Sequence, residues 1–250
     1  MFLTTYIKTV FLKLIYKTKN SIITMKKTAK LLSLAVALFA GFGGTAQAEG
    51  FKVGADVVSS YVWRGGELVD SPAIQPALSY TFAGSGIVVG GWGSYAVNGA
   101  SGSDKYKEVD LYVTIPVGPF SLTATDYYVP VGANNRSFDF SSDSPNVVEL
   151  SVAYAKDNLG LLAAINVAGS EENGAKKAKY CEASYKFYEK DGYSAKGVVG
   201  LGDEDFYGDK EGDNIALVNT GISVSKDRYT ASYIYNPDTE KSSLVFMASF

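Results

Sequence analysis

Residues 242–250 read SSLVFMASF, and their reading decides the fold. Leu244, Phe246, Ala248 and Phe250 alternate with Ser243, Val245, Met247 and Ser249. A repeat of two residues predicts an extended strand with two unlike faces. A soluble strand alternates in the same way, so the surroundings of this one have to be read from the remainder of the chain.

About twelve segments carry the same period, near 51–63, 74–82, 87–97, 106–116, 120–130, 146–155, 159–167, 178–188, 193–202, 214–224, 229–235 and 242–250. Most have the length a tilted strand needs to cross the hydrocarbon of a bilayer. One register keeps apolar residues on one side. The first segment sets Phe51, Val53, Ala55, Val57, Tyr61 and Trp63 against Lys52, Gly54, Asp56, Ser60 and Arg64. The fourth sets Val109, Leu111, Val113 and Ile115 against Glu108, Asp110, Tyr112 and Thr114. No helical period of useful length interrupts the series.

The N-terminus bounds the compartment. Met25, Lys26 and Lys27 open a short basic region, an apolar run covers 31–42, and Ala46-Gln47-Ala48 offers a small-x-small cleavage pattern. Residues 25–48 are expected to form a cleaved signal peptide, too short in its apolar core for a spanning helix. Residues 1–24 precede a signal that has its own Met and are expected to reflect an upstream start, which leaves 49–250 as one domain. Residues 1–48 hold seven lysines and no acid, so 16 basic and 26 acidic groups remain, a net charge of about −10. That balance speaks against gripping nucleic acid. The single cysteine, Cys181, excludes an internal disulfide framework, and the absence of histidine excludes His-based triads and His-containing metal sites. No cofactor is expected and no catalytic residue is assigned.

Three features separate a membrane barrel from a soluble sandwich. Short links (83–86, 117–119, 156–158, 189–192, 225–228) alternate with long polar ones (98–105, 134–146, 169–177, 203–213, 236–241), which is the asymmetry of an outer-membrane barrel. Aromatics gather near segment ends on the apolar side. Phe120, Tyr154, Tyr229 and Phe250 form one expected girdle at the short-turn end, and Tyr61 and Trp63 belong to a second at the long-loop end. All seven prolines lie in links or near strand ends. An even number of antiparallel strands closes on itself and leaves no unpaired edge in lipid. The fold expected is therefore an all-β, transmembrane, antiparallel up-and-down barrel of about 12 strands, in the outer membrane of a Gram-negative bacterium, with residues 242–250 as its closing strand.

SSYVWRG (59–65), PAIQPALSYTF (72–82) and GIVVGGWGSY (86–95) resemble the proteobacterial porin-type family of outer-membrane β-barrels, whose chains begin with a Tyr-x-aromatic-Arg-Gly strand end followed by Pro-Ala-x-Gln and Gly-x-Trp-Gly segments. Tyr61, Trp63, Arg64, Gly65, Pro72, Ala73, Gln75, Trp92 and Gly93 carry the likeness, over about a fifth of the mature chain. The family's glutamine after Arg-Gly is replaced here by Gly66, Glu67 and Leu68. The resemblance implies an outer-membrane barrel that forms a pore and names no substrate.

By the register above, Lys52, Asp56, Arg64, Glu108, Asp110, Glu149, Glu182, Lys186 and Lys196 line the interior. Four bases against five acids predict weak ion preference in a channel for small hydrophilic solutes. A filled barrel used for anchoring or surface contact is the other reading, with Arg64 paired to Asp56 as one way to plug it. The acidic stretch 202–213 reads as a solvated exterior loop, Cys181 as a lipid-facing residue, and Trp92 and Tyr95 as wall packing. The partners expected are the bilayer with its lipopolysaccharide, the assembly machinery that engages the C-terminal strand, and small hydrophilic solutes. A homo-oligomer is allowed.

Overall fold

The structure is a computed structural model that describes residues 49–98, 105–130, 136–141, 145–171, 174–209 and 214–250. The signal segment and residues 210–213 of the acidic stretch lie outside the described residues, as do parts of the 98–105, 131–146 and 169–177 links. In chain order the strands are β1 (Gly50–Val58), β2 (Tyr61–Trp63), β3 (Gly66–Val69), β4 (Ala73–Thr81), β5 (Val88–Ala96), β6 (Lys107–Val117), β7 (Phe120–Tyr128), β8 (Asn146–Lys156), β9 (Leu159–Ala168), β10 (Lys179–Lys190), β11 (Tyr193–Asp203), β12 (Ile215–Lys226), β13 (Tyr229–Asn236) and β14 (Lys241–Ser249). One short helix, α1 (Glu204–Tyr207), follows β11.

Twelve of these strands close a barrel in which sequence neighbours pair antiparallel; β2 and β3 stand apart as a hairpin. Four links (β6–β7, β8–β9, β10–β11 and β12–β13) are two residues long, and all lie at one end of the barrel. Asp157, Asp191 and Asp227 take φ of 53°, 52° and 52° in three of them, a region aspartate enters at modest cost because its short polar side chain bonds locally. The connections at the other end are longer.

The closing strand pairs with β13 along its length and meets β1 at Asp56–Ser249, Val57–Ala248 and Val58–Met247. Phe250 and Ala55 exchange backbone bonds of 2.9 and 3.2 Å, and the Ser59 amide donates to the Phe246 carbonyl at 2.9 Å. The seam therefore satisfies the edges that an open sheet would leave bare.

The wall is apolar outside and polar inside. Along β6, Val109, Leu111, Val113, Ile115 and Val117 are exposed, whereas Glu108, Asp110 and Thr114 are buried. Leu150 and Val152 of β8 are likewise exposed and Glu149 is buried. A barrel of eight strands is filled by its own side chains, and one of sixteen holds an open channel. Twelve leave room that wall side chains alone do not fill, and part of this room is taken by the chain that follows β1. The first strand ends at Val58 rather than at position 63. Ser59 and Ser60 turn the chain inward, so that Tyr61 and Trp63 belong to the hairpin β2–β3 and not to an outer girdle. Tyr61 is buried against Val69 and Ala96, with Trp63, Trp92 and Tyr106 packed around them.

Candidate functional site

Arg64 sits at the tip of the hairpin with φ 50°, followed by Gly65 at φ 87°. Gly65 is needed twice: a side chain is strained at that φ, and a Cβ there would lie 1.9 Å from the Val218 carbonyl oxygen. This tight turn drives Arg64 across the lumen to β8. Its Nη1 and Nη2 donate to Glu149 Oε2 and Oε1 at 2.6 and 2.8 Å, and Nη1 also donates to the Tyr207 hydroxyl at 2.7 Å. The Tyr127 hydroxyl donates to Glu149 Oε1 at 3.3 Å. The guanidinium carbon lies 4.5 Å from the ring centres of both Trp63 and Tyr180. Planar bidentate pairing and flat aromatic faces are what a buried arginine requires in place of water.

The helix α1 closes the same space from another side. Tyr207 is buried, its ring centre 5.2 Å from that of Tyr180, and Asn236 Nδ2 donates to its carbonyl at 3.0 Å. Burial, partly offset by the Arg64 charge, pushes the Tyr207 phenol up to about 12, so its hydroxyl stays neutral. The ring occupies space that any side chain at Gly202 would take, since a Cβ there would stand 2.6 Å from Tyr207. The stretch 202–213 is therefore not solely an exterior loop: Phe206 and Tyr207 pack against Trp63 and help fill the lumen, while Asp205 stays exposed. Among the described residues, no group of carboxylates, histidines or cysteines is placed to hold a metal ion.

Between the hairpin and the inner face of β5–β9 lies a cavity of about 90 Å³. Tyr61 and Trp63 border it from the hairpin, and Ser121 and Ala153 mark its reach towards the short-turn end. Hydroxyls of β6 and β7 line its flank, Thr114 and Thr123 sharing a bond of 2.9 Å. Asp110, 6% exposed, lines it as well, and its carboxyl is hydrogen-bonded to that of Glu108. Glu108, on the same face of β6, accepts from the Tyr106 hydroxyl at 2.8 Å.

The residues expected at the lumen fall into two groups. Asp56, Arg64, Glu108, Asp110 and Glu149 are buried inside the barrel, towards its long-loop half. Glu182 is half-buried on the same inward parity and accepts from Tyr180 and Asn219 at 2.7 and 3.2 Å. Lys186 and Lys196 are directly paired on β10 and β11 near the short turns, where Lys186 also bonds Glu189. Lys52 lies near the same end, exposed. The partner of Arg64 is Glu149 and not Asp56, because the hairpin carries the guanidinium away from β1 (Gly50–Val58).

At the short-turn rim Phe120, Tyr229 and Phe250 are exposed, and Tyr154 packs on Phe120 with ring centres 5.2 Å apart. The Arg228 guanidinium lies 5.5 Å from the Phe250 ring. Cys181 is exposed. Trp92 faces inward, 5.5 Å from Tyr61, and Tyr95 faces outward. Tyr127, Tyr180 and Tyr207 were not legible as lumen residues. The usable signal was glycine at inward positions of β11, Gly200 and Gly202, which leaves space for rings.

A closed antiparallel barrel, apolar outside with an aromatic rim and charged within, has the architecture of an outer-membrane-type β-barrel. The chain belongs to a bacterial family of unknown function (Gcw_chp), whose model matches residues 44–245. No curated protein matches it. Among solved structures it is similar to an outer membrane channel from Pseudomonas putida, at 12% identity and TM-score 0.43, covering 82% of this chain and 97% of that one. It is also similar to OprD from Pseudomonas aeruginosa, at 14% identity and TM-score 0.32, covering 82% and 67%.

Proposed function

We propose that the protein is an outer-membrane channel for passive diffusion of small hydrophilic solutes or ions, held closed in this conformation by the hairpin β2–β3. The carrying observation is the cavity beneath that hairpin, enclosed by an interior of hydroxyls and charged groups while the outer wall is apolar. Such a wall lowers its free energy only where acyl chains surround it, and such an interior only where water or polar solute reaches it. Three lysines near the short turns, together with Arg64, stand against five acids towards the long loops, and this near balance supports weak selectivity for the open pore. Conduction requires the hairpin to leave the lumen, and the Arg64–Glu149 pair is the contact that opposes this.

The refolded mature protein is tested in a planar bilayer. Wild type is expected to show small or infrequent steps. Replacing residues 61–69 with a short Gly-Ser link is expected to give larger, sustained ones. The filled interior favours a second reading, a non-conducting anchoring barrel; silence from both proteins, each inserted and folded, would establish that reading instead.

A further inference from the structure

We propose that the hairpin β2–β3 is held in the lumen by one proton shared between the Glu108 and Asp110 carboxyls, and that loss of this proton as pH rises releases it. The proposal deepens the channel reading and rests on the hairpin leaving the lumen, but not on current passing once it has left.

Glu108 and Asp110 stand two residues apart on the inner face of β6, each 6% exposed, and their carboxyls are hydrogen-bonded to each other. Ionised carboxylates only accept, so a bond between two of them requires a proton on one. The neighbours decide which. Glu108 accepts from the Tyr106 hydroxyl at 2.8 Å and is hydrogen-bonded to the Tyr61 hydroxyl as well. With two phenols donating to it, Glu108 is the acceptor, and the Asp110 carboxyl carries the proton and donates. Tyr61 belongs to β2, whereas both acids belong to the wall. The acid pair therefore fastens the hairpin to the barrel at a contact separate from that of Arg64 with Glu149.

The described groups that face the pair offer no base in place of the proton. On β5, Trp92 is opposite Asp110 and Ser94 is opposite Glu108. On β7, Tyr127 is directly opposite Asp110, and Asp126 adds like charge. Glu149 of β8 adds like charge too, and Arg64 is committed to it on both terminal nitrogens. A second negative charge on the pair thus meets phenols and further acids, and only hydration relieves it. Tyr61 keeps water out: it is 9% exposed, its ring centre 5.5 Å from that of Trp92 and 5.9 Å from that of Tyr106. When Asp110 gives its proton to water, two carboxylates are left side by side, and the state with the hairpin moved off and both acids hydrated is favoured. The docked state binds one proton more than the released one, so rising pH favours release, by up to about tenfold per pH unit.

The chain's two tryptophans, Trp63 and Trp92, both line the cavity that the hairpin covers. Quenching of their fluorescence by acrylamide, which is uncharged at every pH used, therefore reads the hairpin's departure without a label. The refolded protein in lipid vesicles is measured between about pH 5, above the ordinary carboxylate range, and about pH 9, below the ordinary phenol range. The quenching constant is expected to rise reversibly with pH, at least about twofold, while unboiled protein keeps its fast gel mobility. Asp110→Asn retains a donor towards Glu108 that cannot ionise, and its quenching should stay at the low-pH value throughout. A flat wild-type profile, quenching that rises towards acid instead, loss of the fast mobility over the same range, or an undiminished rise in Asp110→Asn would overturn the proposal. The wild-type profile decides even if the variant fails to fold. Release without current would sink the channel and leave this switch standing; sustained steps from the protein lacking residues 61–69, beside a flat wild-type profile, would do the reverse.

Discussion

Arg64 is 7% exposed and Glu149 2%, so neither charge has water to fall back on. Removing one partner of a buried ion pair strands the other and costs about 3–5 kcal/mol, whereas replacing both with apolar side chains of similar volume is often neutral. Arg64→Ala is therefore expected to lower the denaturant midpoint of the barrel in lipid vesicles strongly. Arg64→Met combined with Glu149→Leu should recover most of the loss. Arg64→Lys should recover little, since an ammonium cannot pair with both carboxylate oxygens while lying flat on Trp63 and Tyr180. If the double variant is as weak as Arg64→Ala alone, the pair does not act as a unit. Alternation placed both residues inside the barrel, yet it could not pair them. They lie 85 positions apart, and parity assigns a residue to a face without saying how far across the lumen it reaches.

At the scale of elements, strand period and turn chemistry were readable because each leaves a local mark. Val109 to Val117 alternate, and acids with a φ near 52° sit in the two-residue turns. The hairpin was not readable, for a specific reason: Tyr61 and Trp63 continue the odd-numbered apolar series begun by Phe51. A short strand folded into the lumen therefore carries the same period as the wall. The mark that could have betrayed it was the pair Ser59-Ser60 followed so soon by Arg64-Gly65-Gly66, a turn only a few residues beyond a supposed strand end. The seam between β1 and β14 was expected from the closing strand. Its register gives a direct check: Val57→Cys with Ala248→Cys, in a Cys181→Ser background, should cross-link on mild oxidation, since directly opposed residues of an antiparallel pair fall within disulfide reach. A pair that stays reduced in the folded protein would mean that the barrel is open there.

The whole molecule inverts the arrangement of a soluble domain, and one physical cause accounts for its outer wall, its inner wall and its closure. Backbone groups find partners around the full circumference, so the outside can be apolar without leaving any edge in lipid. The interior, wider than its own wall residues can fill, takes in the hairpin and α1 (Glu204–Tyr207), and the space they leave is the cavity beside Asp110. Intact folded protein should accordingly run faster on a gel before boiling than after it, as a compact closed wall does. Identical mobility in both states would speak against closure.

The central claim is that adjacent residues of one strand face acyl chains and lumen in turn, and Leu150 and Ser151 test it at a single step. Leu150 is 47% exposed on the outer wall, and Ser151 lines the cavity. Single cysteines at these positions, without Cys181, are spin-labelled in the bilayer-embedded protein and relaxed with oxygen, which concentrates in lipid, and with a water-soluble nickel chelate, which does not. High oxygen accessibility at position 150 and little at 151 is the predicted result. Oxygen reaching 151 while the nickel chelate reaches 150 would contradict the account.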